Sequence, residues 1–348
     1  MMSGFGTMKK KVETELAEVV KVAPPVKEEG SVPMGVTEPP KSTPSPLSRN
    51  PLEDELEALA LMMNQSNVFC GLVGHENTGK TGAIGDAHMY NVAAGNVGNG
   101  DYEPDDQLWI IDFDGGGAAC RSAHYNHTPN IRVWDPWVMQ AEERTAYDYP
   151  ATHDRLMKVL MFALTKAKEQ NEDNHNGPRL KNLLITAMDL FDSVCINNMK
   201  IYDMETGAKD AIEASASAIN KSIGWNWNIR STRYHQVTAI SRQLVKHGVN
   251  VFWETHLAPE VFAEQNTGTW RPKWEKQTDN VLNQILWFHK RIIRSDDGKE
   301  TGEVRYEVEF YKSKTNPILQ GQSRIVFVTK KGEAPVWHGV TELREGVL

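Results

Sequence analysis

The sequence predicts an α/β fold with a mostly parallel sheet flanked by helices and with antiparallel strands toward the C-terminus. Between residues 67 and 254, short and nearly continuous apolar runs alternate with helical stretches. Such runs are typical of parallel strands that are covered on both faces. After residue 283, strand-like runs follow one another without long helices, which favours antiparallel pairing.

The individual elements follow from the same pattern. The predicted strands are 67–73, 107–113, 131–134, 182–188 and 249–254, and then 284–293, 303–312 and 323–328. The predicted helices are 80–93, 152–170 and 210–247.

The composition predicts how the chain is divided. Residues 1–50 are rich in Pro, Lys, Glu, Ser and Thr and predict a disordered tail, because such a segment buries too little apolar surface to offset its ordering entropy. Residues 51–66 are predicted to form a helix that leads into the folded part of the chain. Residues 67–335 are predicted to form one domain, and residues 336–348 a C-terminal tail.

Charge and cysteine content restrict the setting and the partners. A net charge of −8 argues against a surface that is basic throughout, so any nucleic-acid contact needs a local patch. Three cysteines are too few for a disulfide framework, which predicts a reducing, cytoplasmic environment. The sequence has no apolar stretch of membrane-spanning length, so we expect no membrane association.

The most informative motif is a complete match to G-x-x-x-x-G-K-[ST] between a predicted strand and a predicted helix. It consists of Gly74, His75, Glu76, Asn77, Thr78, Gly79, Lys80 and Thr81. In this context backbone N–H groups surround phosphates, Lys80 reaches the β- and γ-phosphates, and the Thr81 hydroxyl holds Mg²⁺. The alternative is a glycine turn with an incidental Lys-Thr pair. The motif predicts nucleoside triphosphate binding, and the lack of an N-K-x-D motif favours ATP over GTP.

Two carboxylates are candidates for the chemistry of this site. Asp189 follows a predicted strand and is the candidate ligand of Mg²⁺, with Asp192 as the nearby alternative. Asp114, in an Asp-Phe-Asp-Gly run after another strand, is the candidate that orients the attacking water, with Asp112 as the alternative. A helix cap and a β-turn are the structural alternatives for these aspartates.

A third strand end carries Thr255 and His256. A polar pair after an apolar strand is placed to sense the γ-phosphate, and its alternative is an ordinary strand-end histidine. The order of these motifs resembles the RecA-like P-loop ATPase core, most closely that of phage RecA-like nucleotide-binding proteins, some of which act in single-strand annealing or recombination. The resemblance covers roughly residues 66–330.

The resemblance implies a homo-oligomer, a ring or a filament, with ATP between subunits. Lys312 and Lys314 are similar to the K-x-K segment with which RecA-type proteins reach the ATP of the neighbouring subunit. Their alternative is a pair of solvated lysines on an edge strand. RecA-type enzymes place a glutamate where this chain has the shorter Asp114, which predicts either slow turnover or a water molecule held by another group.

In the RecA-like arrangement, the loops that follow the Asp189 strand and the His256 strand reach DNA. Tryptophans interleaved with basic residues suit a single strand with stacked bases, whereas core packing is the alternative. The candidates are Trp270, Arg271, Lys273, Trp274 and Lys276 in one segment and Trp225, Trp227 and Arg230 in the other.

These features favour an ATPase that acts on single-stranded DNA in phage recombination, annealing or replication, with a single-strand-binding protein as a further partner. Two alternatives stay open. One is a viral packaging or helicase motor, and the other is an ATP-gated oligomeric DNA-binding scaffold with little turnover.

Overall fold

The computed structural model describes residues 67–95, 102–141, 146–172, 175–206, 223–262, 265–346 and 348. Side chains are described except at 202–206, 223–226, 261–262 and 265–266. The predicted tail 1–50, the predicted helix 51–66 and the first part of the predicted helix 210–247 lie outside the described residues.

The described elements follow the predicted alternation closely. The strands are β1 (Phe69–Gly74), β2 (Gln107–Ile111), β3 (Ile131–Trp134), β4 (Leu180–Ile185), β5 (Asn250–Thr255), β6 (Leu257–Phe262), β7 (Gln265–Pro272), β8 (Gln284–Arg294), β9 (Glu300–Ser313), β10 (Ser323–Lys330) and β11 (Val336–Trp337). The helices are α1 (Lys80–Ala94), α2 (Gly116–His124), α3 (Tyr149–Glu169), α4 (Met188–Thr206), α5 (Ile223–Lys246), α6 (Thr278–Val281) and α7 (Thr341–Glu345), with a short 3₁₀ turn at Pro317–Leu319.

A nine-stranded sheet organises these elements in the order β11-β10-β9-β8-β1-β5-β4-β2-β3. The strands from β8 to β3 in that order pair in parallel. The remaining pairs, β8 with β9, β9 with β10 and β10 with β11, are antiparallel. The predicted α/β class, with a mostly parallel sheet and C-terminal antiparallel strands, is confirmed.

Each face of the sheet carries its own apolar core. On β4, Leu183 and Ile185 belong to the core shared with α3, α4 and α5, whereas Leu184 belongs to the core shared with α1 and α7. This alternation follows from the two-residue period of a strand. Burial on both faces accounts for the continuous apolar runs in the sequence.

Apart from the helices α2 and α4, which the sequence analysis did not predict, three segments differ from the predictions. The strand predicted at 182–188 ends at Ile185, and Ala187 adopts a left-handed backbone (φ 46°), so the chain turns into α4 before Asp189. The segment 257–272, predicted to be a loop, forms the antiparallel hairpin β6–β7. Its Gly- and Pro-containing sequence lacks the apolar run that marks the other strands.

The third difference concerns the C-terminus. Residues 336–348, predicted as a tail, contribute β11 and α7 to the domain. Val340, Leu343 and Leu348 are buried in the core beside α1, and Arg344 forms an ion pair with Asp86 of that helix at 2.9 Å. The segment is too short for its helical periodicity to stand out, so its burial became apparent only in the tertiary structure. Among the described residues, no helix is long and apolar enough to cross a membrane.

Candidate functional site

The motif at 74–81 forms the loop between β1 and the first turn of α1. Gly79 precedes α1 in a left-handed conformation (φ 88°), and no described side chain caps the helix. The N–H groups of the first helical turn therefore lack hydrogen-bond partners within the helix. At Gly74 a Cβ atom would lie 2.7 Å from the carbonyl oxygen of Phe288, so the loop can start there only with glycine. An uncapped helix N-terminus next to a lysine suits an anion.

Lys80 is folded over this loop. Its side chain is buried, and Nζ donates to the carbonyl oxygens of His75 at 2.7 Å and Gly74 at 3.3 Å. The ammonium group also lies 3.5 Å from Oε1 of Glu254. Two carbonyl groups of the loop thus hold the positive charge over it.

Glu254 is the carboxylate that reaches the loop. It lies on β5, which pairs with β1 so that Glu254 stands beside Leu72. Its Oε2 accepts a hydrogen bond from the Thr81 hydroxyl at 2.7 Å. Burial raises the pKa of Glu254, while Lys80 and the Thr81 hydrogen bond act in the opposite direction.

Sequence reasoning missed Glu254, although a signal was present. It is the one acidic residue in the apolar run 249–255. An acid inside a strand that is otherwise buried is costly unless it is paired. The hydrogen bond from Thr81 and the ion pair with Lys80 supply partners for the Glu254 carboxylate.

Asp189 and His256 form a pair at the same end of the sheet. Nδ1 of His256 lies 3.0 Å from Oδ1 of Asp189. The hydrogen bond to Asp189 raises the pKa of His256. Burial raises the pKa of Asp189, but the hydrogen bond and the charge of His256 outweigh it, so the net shift is downward. Asp189 thus lies in the first turn of α4 and contacts His256, whereas the carboxylate that contacts Thr81 is Glu254.

The two aspartates after β2 have different surroundings. Asp112 is buried and accepts hydrogen bonds from the Thr186 hydroxyl at 3.1 Å and the Ala118 N–H at 2.8 Å. Asp114 is exposed and accepts from the Gly116 N–H at 3.1 Å. Asp112 therefore fixes the turn into α2, and Asp114 faces the cleft.

Asp114, Glu254 and His256 converge in space. Each offers a ligand atom, and these atoms lie within 4.8 Å of one another. They line a cleft of about 1010 Å³ together with the whole loop from His75 to Thr81. Asp189 and Lys273 also line it. Such a volume is at the upper end of the range for small-molecule sites.

Lys312 and Lys314 lie elsewhere in this chain. The Lys312 ammonium group donates to the carbonyl oxygen of Asp279, and that of Lys314 donates to the carbonyl oxygen of Asn280 at 3.0 Å. Burial and the neighbouring Lys314 charge lower the pKa of Lys312. Both lysines thus bind carbonyl groups of the short helix α6, and their action on a neighbouring subunit stays a prediction.

The predicted DNA segment at 269–276 divides into two parts. Trp270 is 48 % exposed on the hairpin β6–β7, and its ring meets that of His75 edge-on at 4.6 Å. Arg271, Lys273 and Lys276 are also exposed. This surface therefore combines an aromatic ring and positive charges beside the loop.

The prediction that Trp274 contacts DNA is wrong, because its side chain is buried. It is 8 % exposed and packs against Gly71 of β1, where a Cβ atom would lie 2.5 Å from its ring. Its Nε1–H donates to Asp279 at 2.9 Å. Trp274 belongs to the apolar core that includes Phe69 and Val73 of β1, so its ring offers no face to a base.

The second predicted DNA segment is only partly described, because the side chain of Trp225 lies outside the described residues. Trp227 is 39 % exposed and carries the Arg230 guanidinium over its ring at 5.1 Å. That guanidinium makes two hydrogen bonds to Asp192, at 2.9 and 3.0 Å. The ion pair holds Arg230 against α4 and partly covers the indole.

No protein-family model matches this chain, and the search of curated proteins found no match.

Proposed function

We propose that this protein is a RecA-like ATPase that binds ATP and Mg²⁺ in the cleft and acts on single-stranded DNA. One observation carries the proposal. The Thr81 hydroxyl of a glycine-lysine loop is hydrogen-bonded to the buried carboxylate of Glu254 at 2.7 Å. A loop of this kind with a carboxylate at its hydroxyl is the arrangement that P-loop enzymes use for a metal-bound triphosphate.

The residues of the cleft fit these ligands. The first-turn N–H groups of α1 and the Lys80 ammonium group would bind the phosphates. Mg²⁺ prefers oxygen ligands, and Thr81, Glu254 and Asp114 supply hydroxyl and carboxylate oxygens at one end of the cleft. Bound Mg²⁺ would neutralise charge that develops on the phosphates. Asp189, the ligand expected from the sequence, lines the same cleft and supports His256.

Hydrolysis requires a group that orients water near the terminal phosphate. Glu254 and Asp114 are the two carboxylates placed for this role, and the one that does not orient water would hold Mg²⁺ with Thr81. The buried position of Glu254 favours it, because burial raises its pKa and so makes it a better proton acceptor. Asp114 is exposed and shorter, which is consistent with slow turnover if it acts alone.

Single-stranded DNA is proposed as the partner because of the hairpin β6–β7. The exposed ring of Trp270 and the charges of Arg271, Lys273 and Lys276 suit a stacked base and a phosphate backbone. A homo-oligomer in which Lys312 and Lys314 reach a neighbouring site belongs to the same proposal.

Equilibrium binding and turnover of ATP test the proposal, with and without single-stranded DNA at low salt. Lys80→Ala should weaken ATP binding at least about tenfold, because a hydrogen bond to a charged group contributes about 1.5–3 kcal/mol. Lys158→Ala, which removes an exposed lysine of α3, should change neither quantity. Failure of the wild-type protein to bind Mg²⁺–ATP at millimolar concentration would refute nucleotide binding. Absence of DNA binding at low salt would refute the DNA partner.

A further inference from the structure

The cleft has two chemically different parts, which belong to strands on opposite sides of β1 in the sheet. One part carries the polar side chains Asp114, Glu254 and His256. The other part is lined by Tyr306, Phe327 and Trp337. The proposed hydrolysis uses the polar part, so the aromatic part has no role in it.

The aromatic part of the cleft is a row of rings on the antiparallel strands of the sheet. Phe327 of β10 is the register partner of both Tyr306 on β9 and Trp337 on β11. The Phe327 ring lies 4.9 Å from Tyr306 and is stacked on Trp337 at 4.6 Å. We name these side chains the aromatic row. All three are partly exposed, so the row retains surface that a ligand can cover.

Contacts with α1 and α2 place the row beside the loop. A Cβ atom at Gly82, the residue after Thr81, would lie 2.8 Å from the Trp337 ring. The ring of His124, at the end of α2, meets the same indole at 5.9 Å. Trp337, at one end of the row, therefore contacts the first turn of α1, whose N-terminus is proposed to bind phosphates.

A nucleotide has a shape that matches this arrangement. Its phosphates end in the group that reacts, and its other end is a flat aromatic base. If the terminal phosphate lies toward Glu254 and Asp114, the base is directed toward the strands on the other side of β1, which carry the aromatic row. Aromatic side chains bind bases by stacking, whatever the identity of the base.

We propose that the aromatic row is the nucleobase subsite of the cleft, with Trp337 as its main contact. This inference rests on the proposed nucleotide binding and adds the residues that hold the base. The row is reached from β9, β10 and the C-terminal β11, so the segment 336–348 completes the nucleotide site as well as the core.

The test compares ATP with inorganic tripolyphosphate, which has the phosphates without the base, by isothermal titration calorimetry with Mg²⁺. Trp337→Ala should weaken ATP binding by about 5- to 100-fold, the range for the loss of one base–aromatic contact, and leave tripolyphosphate binding unchanged. Trp337→Phe, which keeps a ring, should retain most of the ATP affinity. Lys80→Ala should weaken binding of both ligands.

Tyr311→Ala is the matched control. Tyr311 lies on β9 like Tyr306 and is 50 % exposed, but it stacks on Trp287, which packs on the opposite face of the sheet. Its removal should leave the affinity for both ligands unchanged.

Two outcomes would overturn the subsite while nucleotide binding stands. Trp337→Ala could leave ATP affinity intact, or it could weaken ATP and tripolyphosphate equally, which would mean that the change distorts the loop instead. If the wild-type protein bound neither ligand, the proposed function and the subsite would fall together.

Discussion

The Thr81 hydroxyl donates a 2.7 Å hydrogen bond to the Glu254 carboxylate, which joins the first turn of α1 to the end of β5. The two residues are 173 positions apart in the chain. They meet because β5 pairs directly with β1 in the sheet. This contact places an acid next to the loop that is proposed to bind phosphate.

Glu254→Gln should lower the turnover number of ATP hydrolysis by about 100-fold or more, the usual contribution of a general base, while ATP affinity stays within a few-fold. Glutamine keeps the size of the side chain and can still accept from Thr81, but it carries no negative charge. Steady-state turnover and equilibrium binding, measured on the same preparation, separate the two effects. Glu172→Gln, an exposed change after α3, is the control.

Asp114→Asn should cause a smaller loss of turnover than Glu254→Gln, because Asp114 is exposed, whereas Glu254 is buried beside Lys80 and Thr81. The reverse order would assign the water-orienting role to Asp114, as the sequence alone suggested. Unchanged turnover in both variants would exclude either carboxylate from hydrolysis.

Trp270→Ala should weaken binding of single-stranded DNA by about 5- to 100-fold, because its exposed ring is lost as a stacking surface. Trp227→Ala should have a smaller effect, since its indole is partly covered by Arg230. Fluorescence anisotropy with a labelled oligonucleotide at low salt measures both affinities. Equal losses in the two variants would contradict the assignment of DNA contact to the hairpin.

Leu343→Ala should lower the free energy of unfolding by about 2–5 kcal/mol, the cost of removing a buried leucine side chain. Leu343 is 7 % exposed in the core beside α1. Val336→Ala, at a position 51 % exposed in the same segment, should change stability by less than about 0.5 kcal/mol. Urea denaturation measures both. An unaffected Leu343→Ala variant would show that residues 336–348 behave as a tail in solution.

His88 should make the protein less stable as the pH falls from 6.5 toward 4. Burial lowers the pKa of His88 from 6.5 to about 4, and its ring is held by the Asp106 carbonyl at 3.2 Å and by Asn182 at 2.9 Å. Between these pH values the unfolded chain binds a proton at His88 and the folded protein does not, so unfolding becomes easier as pH decreases. The contribution is about 2 kcal/mol at pH 5.

The measurement compares wild type with His88→Gln in urea at pH 7.5 and pH 5.0. Glutamine does not titrate, so the free energy of unfolding of the wild type should fall by about 2 kcal/mol more than that of the variant. Equal pH dependence in the two proteins would mean that the pKa of His88 is the same in the folded protein and in the unfolded chain, and would contradict the lowered pKa.

Local patterns predicted much of the scaffold. The strand expected at 131–134 is β3 (Ile131–Trp134), and the helix expected at 80–93 is α1 (Lys80–Ala94). These elements depend on neighbours in the sequence: an apolar run with turns at each end, or a glycine loop that leads into a helix. The hairpin β6–β7 was missed because its strands are held by pairing across the turn more than by apolar residues.

The sequence by itself determined the class of the fold, the glycine-lysine loop and the positions of its candidate carboxylates, because each is a property of a short segment. Only the tertiary structure decided which carboxylate reaches Thr81. Glu254 does so because β5 lies beside β1, whereas Asp189 turns away into α4 and binds His256. Tertiary packing also decided between Trp270 and Trp274. It leaves the Trp270 ring exposed and buries the Trp274 ring against β1.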